Sequence, residues 1–342
     1  MLSNEEILDS YWKRGRDFLG VRYAIMGGAM SWISEHRLVA AVSNAGGFGV
    51  IASGAMPPQI LRDEIEKTHA LTKNNFAVNL ITMHPQLDEL IDVCVDMKIS
   101  HAILAGGIPT AQSVKRLKDA GIRVMCFAPA LVLAKKMVRS GADALILEGT
   151  EAGGHIGPVA TNILVQEILP HVKDVPVFVA GGIGSGEMMA AFLALGAAGC
   201  QLGTRFVCTD ECIAHPNFKQ AFIKANARDA VPTVQIDPRF PVIPVRALAN
   251  EGTKRFAQFQ LETIQKYQNG EIELKDAQMA IEHFWGGALR RAVIDGDVEN
   301  GSVMAGQSVG LVKDVKPVQA VVDELVSDAA DALRRWENRQ QA

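Results

Sequence analysis

The sequence predicts an α/β chain that closes as a (β/α)8 TIM barrel and carries a mainly helical inserted lid. Three observations point there. Eight short, β-rich apolar runs alternate with longer helical patterns over about 200 residues, the count a closed barrel needs. The runs are apolar almost throughout, as in Val177-Phe178-Val179-Ala180, which suits parallel strands buried on both faces. Composition agrees: 31 glycines in 342 residues with only 6% aromatics favours a close-packed α/β enzyme over a β-sandwich. An open doubly wound sheet is the alternative that the same rhythm permits.

The elements follow in order. An amphipathic helix spans Glu5 to Phe18. Strands are expected at Tyr23–Met26, Gly49–Ala52, Phe76–Leu80, His101–Ala105, Arg123–Ala128, Ala144–Glu148, Pro176–Ala180 and Gly199–Leu202. Helical patterns lie between them at Glu35–Ala45, Pro58–Thr72, Pro85–Met97, Thr110–Ala120, Leu131–Ser140, Asn162–His171 and Glu187–Leu195. Gly121 and Gly141 sit where two of these helices should stop. After about Ala225 the rhythm breaks. Asp229 to Pro244 holds four prolines, and helical patterns then run over Val245–Tyr267 and Leu274–Val293, broken at Asn269-Gly270. The expected organisation is a barrel over 15–225, an inserted helical lid over 226–296, and a return to the barrel over 297–342 ending in a charged amphipathic helix, Val318 to Arg339.

Charge narrows the function. The net charge is −4, from 34 basic and 38 acidic residues, so no cationic excess exists to displace counterions from nucleic acid. The longest apolar run, Met188 to Cys200, has 13 residues, too few for a membrane span. The polar, acidic start Met1-Leu2-Ser3-Asn4-Glu5-Glu6 is not signal-like, and five scattered cysteines make no disulfide framework. A cytoplasmic setting is the expectation.

In such a barrel, the loops at the carboxyl ends of the strands build the active site, and those after strands seven and eight commonly bind phosphate. Here they are Ala180-Gly181-Gly182-Ile183-Gly184-Ser185-Gly186 and Gly203-Thr204-Arg205. Glycines let backbone N–H groups approach an anion, and a helix amino end adds a favourable field. The plainer reading is two tight turns; their pairing at the expected strands favours phosphate. A dinucleotide fingerprint fits poorly, because Glu187 holds its third glycine position and Leu202 stands about twenty residues on, where an acid is wanted. No Walker A sequence is present. A mononucleotide phosphate, such as a flavin's, fits better.

The stretch Glu148-Gly149-Thr150-Glu151-Ala152-Gly153-Gly154-His155-Ile156-Gly157 follows strand six and should face the mouth. A histidine beside glycines can reach a ligand, and an imidazole suits proton transfer. Asn79 ends strand three and can donate and accept at a flavin edge; Gln201, inside apolar strand eight, also needs a polar partner. His155 and Asn79 each have a plain alternative: a surface-loop histidine, a capping or turn asparagine. Cys208-x3-Cys212 with His215 is a partial zinc set without a fourth ligand, so no residue is assigned to a metal; Cys94, Cys126 and Cys200 read as core.

Together these motifs resemble the nitronate monooxygenase (2-nitropropane dioxygenase) family of FMN-dependent barrels, which includes the flavin-type enoyl-ACP reductases. The resemblance runs from about Tyr23 to Val312. It is carried by Gly28-Ala29-Met30-Ser31-Trp32, Ser43-Asn44-Ala45-Gly46-Gly47-Phe48-Gly49, Val78-Asn79-Leu80, Glu151-Ala152-Gly153-Gly154-His155, Ala180-Gly181-Gly182-Ile183, Gln201-Leu202-Gly203-Thr204-Arg205-Phe206, His215-Pro216 and Met304-Ala305-Gly306-Gln307.

The resemblance implies non-covalent FMN, with Gly28 and Met30 backbone and Asn79 at the ring, and the phosphate on Gly181, Gly182, Gly203 and Thr204. Glu148, Gly153, Gly154 and Gln201 complete the expected cofactor shell, and His155 is the expected catalytic residue. Two reactions fit the family: oxidation of alkyl nitronates with O2 to a carbonyl product and nitrite, and NAD(P)H-dependent reduction of an enoyl thioester. The first is the leading expectation, with NAD(P)H a candidate reductant for the second and a homodimer a candidate assembly. A flavin-free phosphate-binding scaffold barrel is the reading from another class. Two departures stand out. Met26 occupies the place of a glutamine the family often has, and the Pro241–Pro244 region differs from the reductases.

Overall fold

The computed structural model describes residues 3–234, 236–237 and 243–341. Among these, eight strands form one parallel sheet: β1 (Ile25–Gly27), β2 (Gly49–Ala52), β3 (Phe76–Ile81), β4 (His101–Ala105), β5 (Arg123–Phe127), β6 (Ala144–Glu148), β8 (Val177–Ala180) and β9 (Gly199–Leu202). A two-residue strand, β7 (Gly154–His155), lies outside that sheet. The ladder runs β1-β9-β8-β6-β5-β4-β3-β2, and a parallel bridge between Met26 and Phe48 joins its ends. The sheet is therefore a closed barrel with the helices outside, as predicted.

Local chemistry explains the shifted boundaries. Tyr23 donates its N–H to Gly46 O (2.8 Å), so it belongs to a turn and β1 starts at Ile25. Pro176 has no N–H for the ladder, and β8 starts one residue later. The first helix runs Asn4–Leu19, held by a capping box between Ser3 and Glu6 and stopped by Gly20 at φ +68°.

The barrel interior is filled by alternate residues of the strands: Met26, Val50, Ala77, Ile103, Met125, Ile146, Phe178 and Ala180 are all buried in one cluster with Phe48 and Leu19. The amino ends of the strands are plugged. His101 and Arg123, which open β4 and β5, both bond the carbonyl of Phe18, and the His101 ring meets Phe18 edge-on at 5.2 Å. Burial pushes the His101 imidazole down to about 4, so this floor histidine is neutral and structural. The carboxyl ends are left as the mouth.

The region after the barrel corrects one expectation. Val245–Leu248 forms a strand, β11, not the start of a helix. It pairs antiparallel with β10 (Ala230–Pro232) and with β7. Sequence-distant pairing wins over a local helical pattern here. The helix begins at Glu251, capped by Asn250, and runs to Gln268; a second spans Leu274–Arg290. They share a separate core of Val245, Phe256, Ile264, Ala277, Ile281 and Trp285. Part of the proline-rich stretch, including Pro238 and Pro241, lies outside the described residues. The last helix, Val318–Gln341, packs on helix Gly186–Ala194 so closely that a Cβ at Gly186 would lie 2.3 Å from Leu325 O. No helix among the described residues is long and apolar enough to cross a membrane.

Candidate active site

The carboxyl ends of β8 and β9 sit side by side, with Ala180 paired to Gln201. They lead into Gly181-Gly182 and Gly203-Thr204. Gly181 and Gly182 have φ of +93° and +74°, conformations that L side chains rarely adopt. A Cβ on Gly181 would also lie 3.0 Å from the Gly149 backbone and from Thr161 Oγ1. A compact backbone cradle results, suited to an anion. Glu151 stands beside it, 3.1 Å from where a Gly182 Cβ would be, but its carboxylate is engaged. It accepts from Thr161 N–H and Thr161 Oγ1–H, both at 2.9 Å, capping helix Thr161–Ile168. Thr204 Oγ1 accepts from Gly306 N–H (3.0 Å) and keeps its own hydrogen to donate.

The loop after β1 forms the adjoining wall. Gly28 N–H donates to Leu202 O (2.9 Å), and a Cβ on Gly28 would be 3.1 Å from Gly203 Cα. Ser34 Oγ accepts from Met30 N–H (3.0 Å) and donates to Gly28 O (2.7 Å). The Gly28 and Met30 amides are thus spent within the chain, so these residues offer a flat packing wall. Met30 Sδ lies 3.4 Å from where a Gly203 Cβ would be. Trp32 in this loop has φ +65°, an outlier for a bulky residue, and the Arg290 guanidinium stacks over its ring at 5.8 Å.

Asn79 ends this wall. Its carbonyl accepts from Ser53 Oγ (2.6 Å), and its side chain is 6% exposed, yet Oδ1 has no partner. A buried amide oxygen without a donor is costly and points to a ligand N–H. The ring edge of a flavin supplies an N–H flanked by carbonyls, so the residues fit such a group. Asn79→Leu is expected to weaken flavin binding about tenfold, from ~1–2 kcal/mol, read by fluorescence titration of the flavin-free protein. Unchanged affinity rejects the contact. Gln201 is equally buried, on β9 between Met26 and Ala180 in the ladder.

The third wall is the loop after β6. Gly149 N–H reaches Ala180 O (3.2 Å), and Thr150 N–H reaches Val159 O (2.8 Å). Gly153 presses on the segment 304–307: its Cβ would be 2.6 Å from Ala305 C and Gly306 N. Gln307 N–H donates to Glu151 O (2.9 Å). Gly154, at φ +76°, pairs with Arg246, and His155 pairs with Val245, which leaves the His155 side chain exposed. Arg246 is the residue sequence reasoning missed. It is buried, and it donates to Thr150 O (2.9 Å) and Ala230 O (2.6 Å), clamping the loop to the inserted region. A lone arginine in the apolar run Val245–Leu248 was the available signal. Burial pulls its pKa down, against the charge of Glu151.

Glu148, at the end of β6, has its carboxyl pushed up to about 7 by burial, with His155 acting in the opposite direction. The sign of its effect follows. Below about pH 4.5 the group is protonated in both folded and unfolded chains. Between about 4.5 and 7 only the unfolded chain ionises it, so the fold loses stability as pH rises through that window. Glu148→Gln should therefore gain stability over wild type from about pH 5 to about pH 7.5, measured by denaturant unfolding of flavin-free protein. Parallel pH curves for the two proteins reject this.

Cys208, Cys212 and His215 do not gather as a metal-ligand set among the described residues. His215 Nδ1 accepts from Asn217 N–H (3.1 Å) at a helix start, and burial pushes the Cys208 thiol up to about 12. Every other expected site residue stands on one of the three walls or the strand ends between them.

Comparison with known proteins gives the family and the fold. A family model described as nitronate monooxygenase matches residues 13–90 and 83–328. A "(3aS,4S,5R,7aS)-5-hydroxy-7a-methyl-1-oxo-octahydro-1H-indene-4-carboxyl-CoA dehydrogenase" of Rhodococcus jostii is 31% identical, over 92% of this chain and 94% of its own. A "probable nitronate monooxygenase" of Staphylococcus aureus is 28% identical, over 92% and 97%. Among solved structures, FabK from Thermotoga maritima superposes with a TM-score of 0.85 at 36% identity, covering 95% of this chain and 98% of that one. Nitroalkane oxidase from Streptomyces ansochromogenes gives 0.77 at 25%, covering 94% and 99%.

Proposed function

This chain belongs to the nitronate monooxygenase family of oxidoreductases, and from that premise we propose that it acts with FMN and NAD(P)H on the Cα–Cβ double bond of an acyl thioester. The observation that carries this reading is the likeness to FabK, an enoyl-ACP reductase, at 36% identity and a TM-score of 0.85, against 25% and 0.77 for nitroalkane oxidase. Among curated relatives the carboxyl-CoA dehydrogenase is 31% identical over 92% of this chain, and probable nitronate monooxygenases are 28% over 92% or 30% over 65%. The family segment Met304–Gln307 borders the site, with Gly306 N–H on Thr204 Oγ1 and Gln307 N–H on Glu151 O.

Bound FMN would supply two-electron hydride chemistry. The chain's own residues would do the rest. Gly181, Gly182, Gly203 and Thr204 would hold the phosphate, Gly28 and Met30 would pack against the ring, and Asn79 Oδ1 would accept its N–H. Gln201, Gly153 and Gly154 would complete the shell. His155 would place the thioester and hold or deliver the proton at its α-carbon, with Glu148 behind it. Residues 226–296 would cover the mouth.

The second reading, oxidation of an alkyl nitronate with O2, is favoured by the family model that spans most of the chain. One anaerobic experiment separates the two. Oxidised enzyme is mixed with NADH, NADPH or propyl nitronate, and the flavin absorbance is followed. Bleaching by a nicotinamide, with turnover of an enoyl thioester, supports the proposal. Bleaching by the nitronate alone overturns it in favour of the second reading. Protein that takes up no flavin, even with added FMN, is a scaffold barrel and rejects both.

A further inference from the structure

A cluster outside the barrel mouth carries chemistry that the flavin site does not use. Glu35 and His36 stand at the start of helix His36–Asn44, and Glu64 projects from helix Pro58–Leu71. Both glutamates are 8% exposed. The imidazole Nδ1 of His36 lies 2.7 Å from Glu35 Oε2 and 2.8 Å from Glu64 Oε2, and the three atoms all lie within 4.8 Å of one another. Arg37 Nε lies 3.4 Å from both oxygens of Glu35, and Lys67 Nζ lies 3.1 Å from Glu64 Oε1. Glu35 Oε1 accepts from Arg37 N–H at 3.2 Å, and Glu64 Oε2 accepts from His36 N–H at 3.0 Å.

We propose that Glu35 Oε2, His36 Nδ1 and Glu64 Oε2 bind a divalent transition-metal ion, with Zn2+ the best match. One imidazole nitrogen and two carboxylate oxygens form a ligand set that Zn2+ accepts, with a fourth position left for water. Zinc–ligand bonds of about 2.0–2.2 Å separate tetrahedral ligands by about 3.4 Å. Each Nδ1–Oε2 gap therefore opens by roughly 0.6 Å on binding, within reach of side-chain rotation. Hydrogen bonds from Arg37 N–H and Lys67 Nζ to the outer oxygens, and from His36 N–H to Glu64 Oε2, fix the orientation of the two carboxylates, as outer-shell partners do in known metal sites. The ion would also matter to the flavin wall. Glu35 follows Ser34, whose hydroxyl ties Gly28 to Met30, so a bound ion would pin that loop to helix Pro58–Leu71.

The test uses the full-length, flavin-loaded protein after chelator treatment. Titration with ZnCl2, followed by calorimetry, should show one saturable equivalent, lost in His36→Gln and in Glu64→Gln and retained in Cys212→Ser. Absence of saturable binding, or binding that survives both ligand substitutions, overturns the proposal. Cobalt keeps the test decisive if those variants fold poorly. Wild-type protein with CoCl2 should show visible d–d bands stronger than those of the aqueous ion and no thiolate charge-transfer band. A thiolate band would place the ion on the Cys208–Cys212 pair and overturn the assignment, as would a spectrum unchanged from that of the ion in buffer.

Discussion

His155→Ala is expected to retain flavin and fold while losing turnover by about 10²–10⁴-fold, the range for removing a positioned acid or base. The local structure makes the separation clean. The backbone of β7 is held by its pairing with β11 and by Ile156 N–H on Pro244 O (3.0 Å), none of which uses the imidazole. The ring is exposed and lies outside the strand ladder, so its loss leaves that pairing in place. Three readouts on one preparation decide the matter: flavin per protein from the absorbance ratio, Tm, and kcat with whichever substrate the anaerobic test selects. Full turnover removes His155 from the chemistry. Lost turnover with lost flavin would make it a structural residue of the loop instead.

The parts of the molecule legible from sequence are those whose signals are local and repeated. The eight barrel strands are short apolar runs bounded by helices, and closure places their carboxyl ends together, so the glycine loops after β8 and β9 become neighbours by topology alone. Glu148, Asn79 and His155 were placed at the mouth for the same reason. What escaped was non-local. β7 has only two residues, and β11 has a helix-compatible pattern; each becomes a strand because the other is there. Arg246 could not be assigned its role without that pairing. The same holds for Ser34 and Trp32. A serine joining two backbone groups of one loop, and a tryptophan held at φ +65°, are consequences of the folded chain rather than of residue type. Nor does sequence order bring Glu64 to Glu35 and His36, which lie on two different outer helices.

Gly153→Ala is expected to be damaging at the mouth, for a reason that Gly157 makes testable. At Gly153 the new Cβ would meet Ala305 C and Gly306 N at 2.6 Å, and both are backbone atoms of a segment tied down on two sides. Gly306 N–H is held by Thr204 Oγ1 and Gln307 N–H by Glu151 O, so the segment cannot retreat without breaking those bonds. Overpacking of this kind costs about 1–3 kcal/mol. Because Thr204 and Glu151 flank the proposed phosphate cradle, the strain should reach the bound flavin and weaken its binding about tenfold or more, each 1.4 kcal/mol being a factor of ten. Gly157, four residues along the same loop, has nothing within 4 Å of a Cβ and no left-handed backbone. Gly157→Ala should therefore leave Tm and flavin affinity at wild-type values. Thermal unfolding and flavin fluorescence on the pair distinguish packing from loop chemistry. If both alanines behave alike, the contact between the β6 loop and Ala305-Gly306 does not hold the cradle, and the site must be assembled without it.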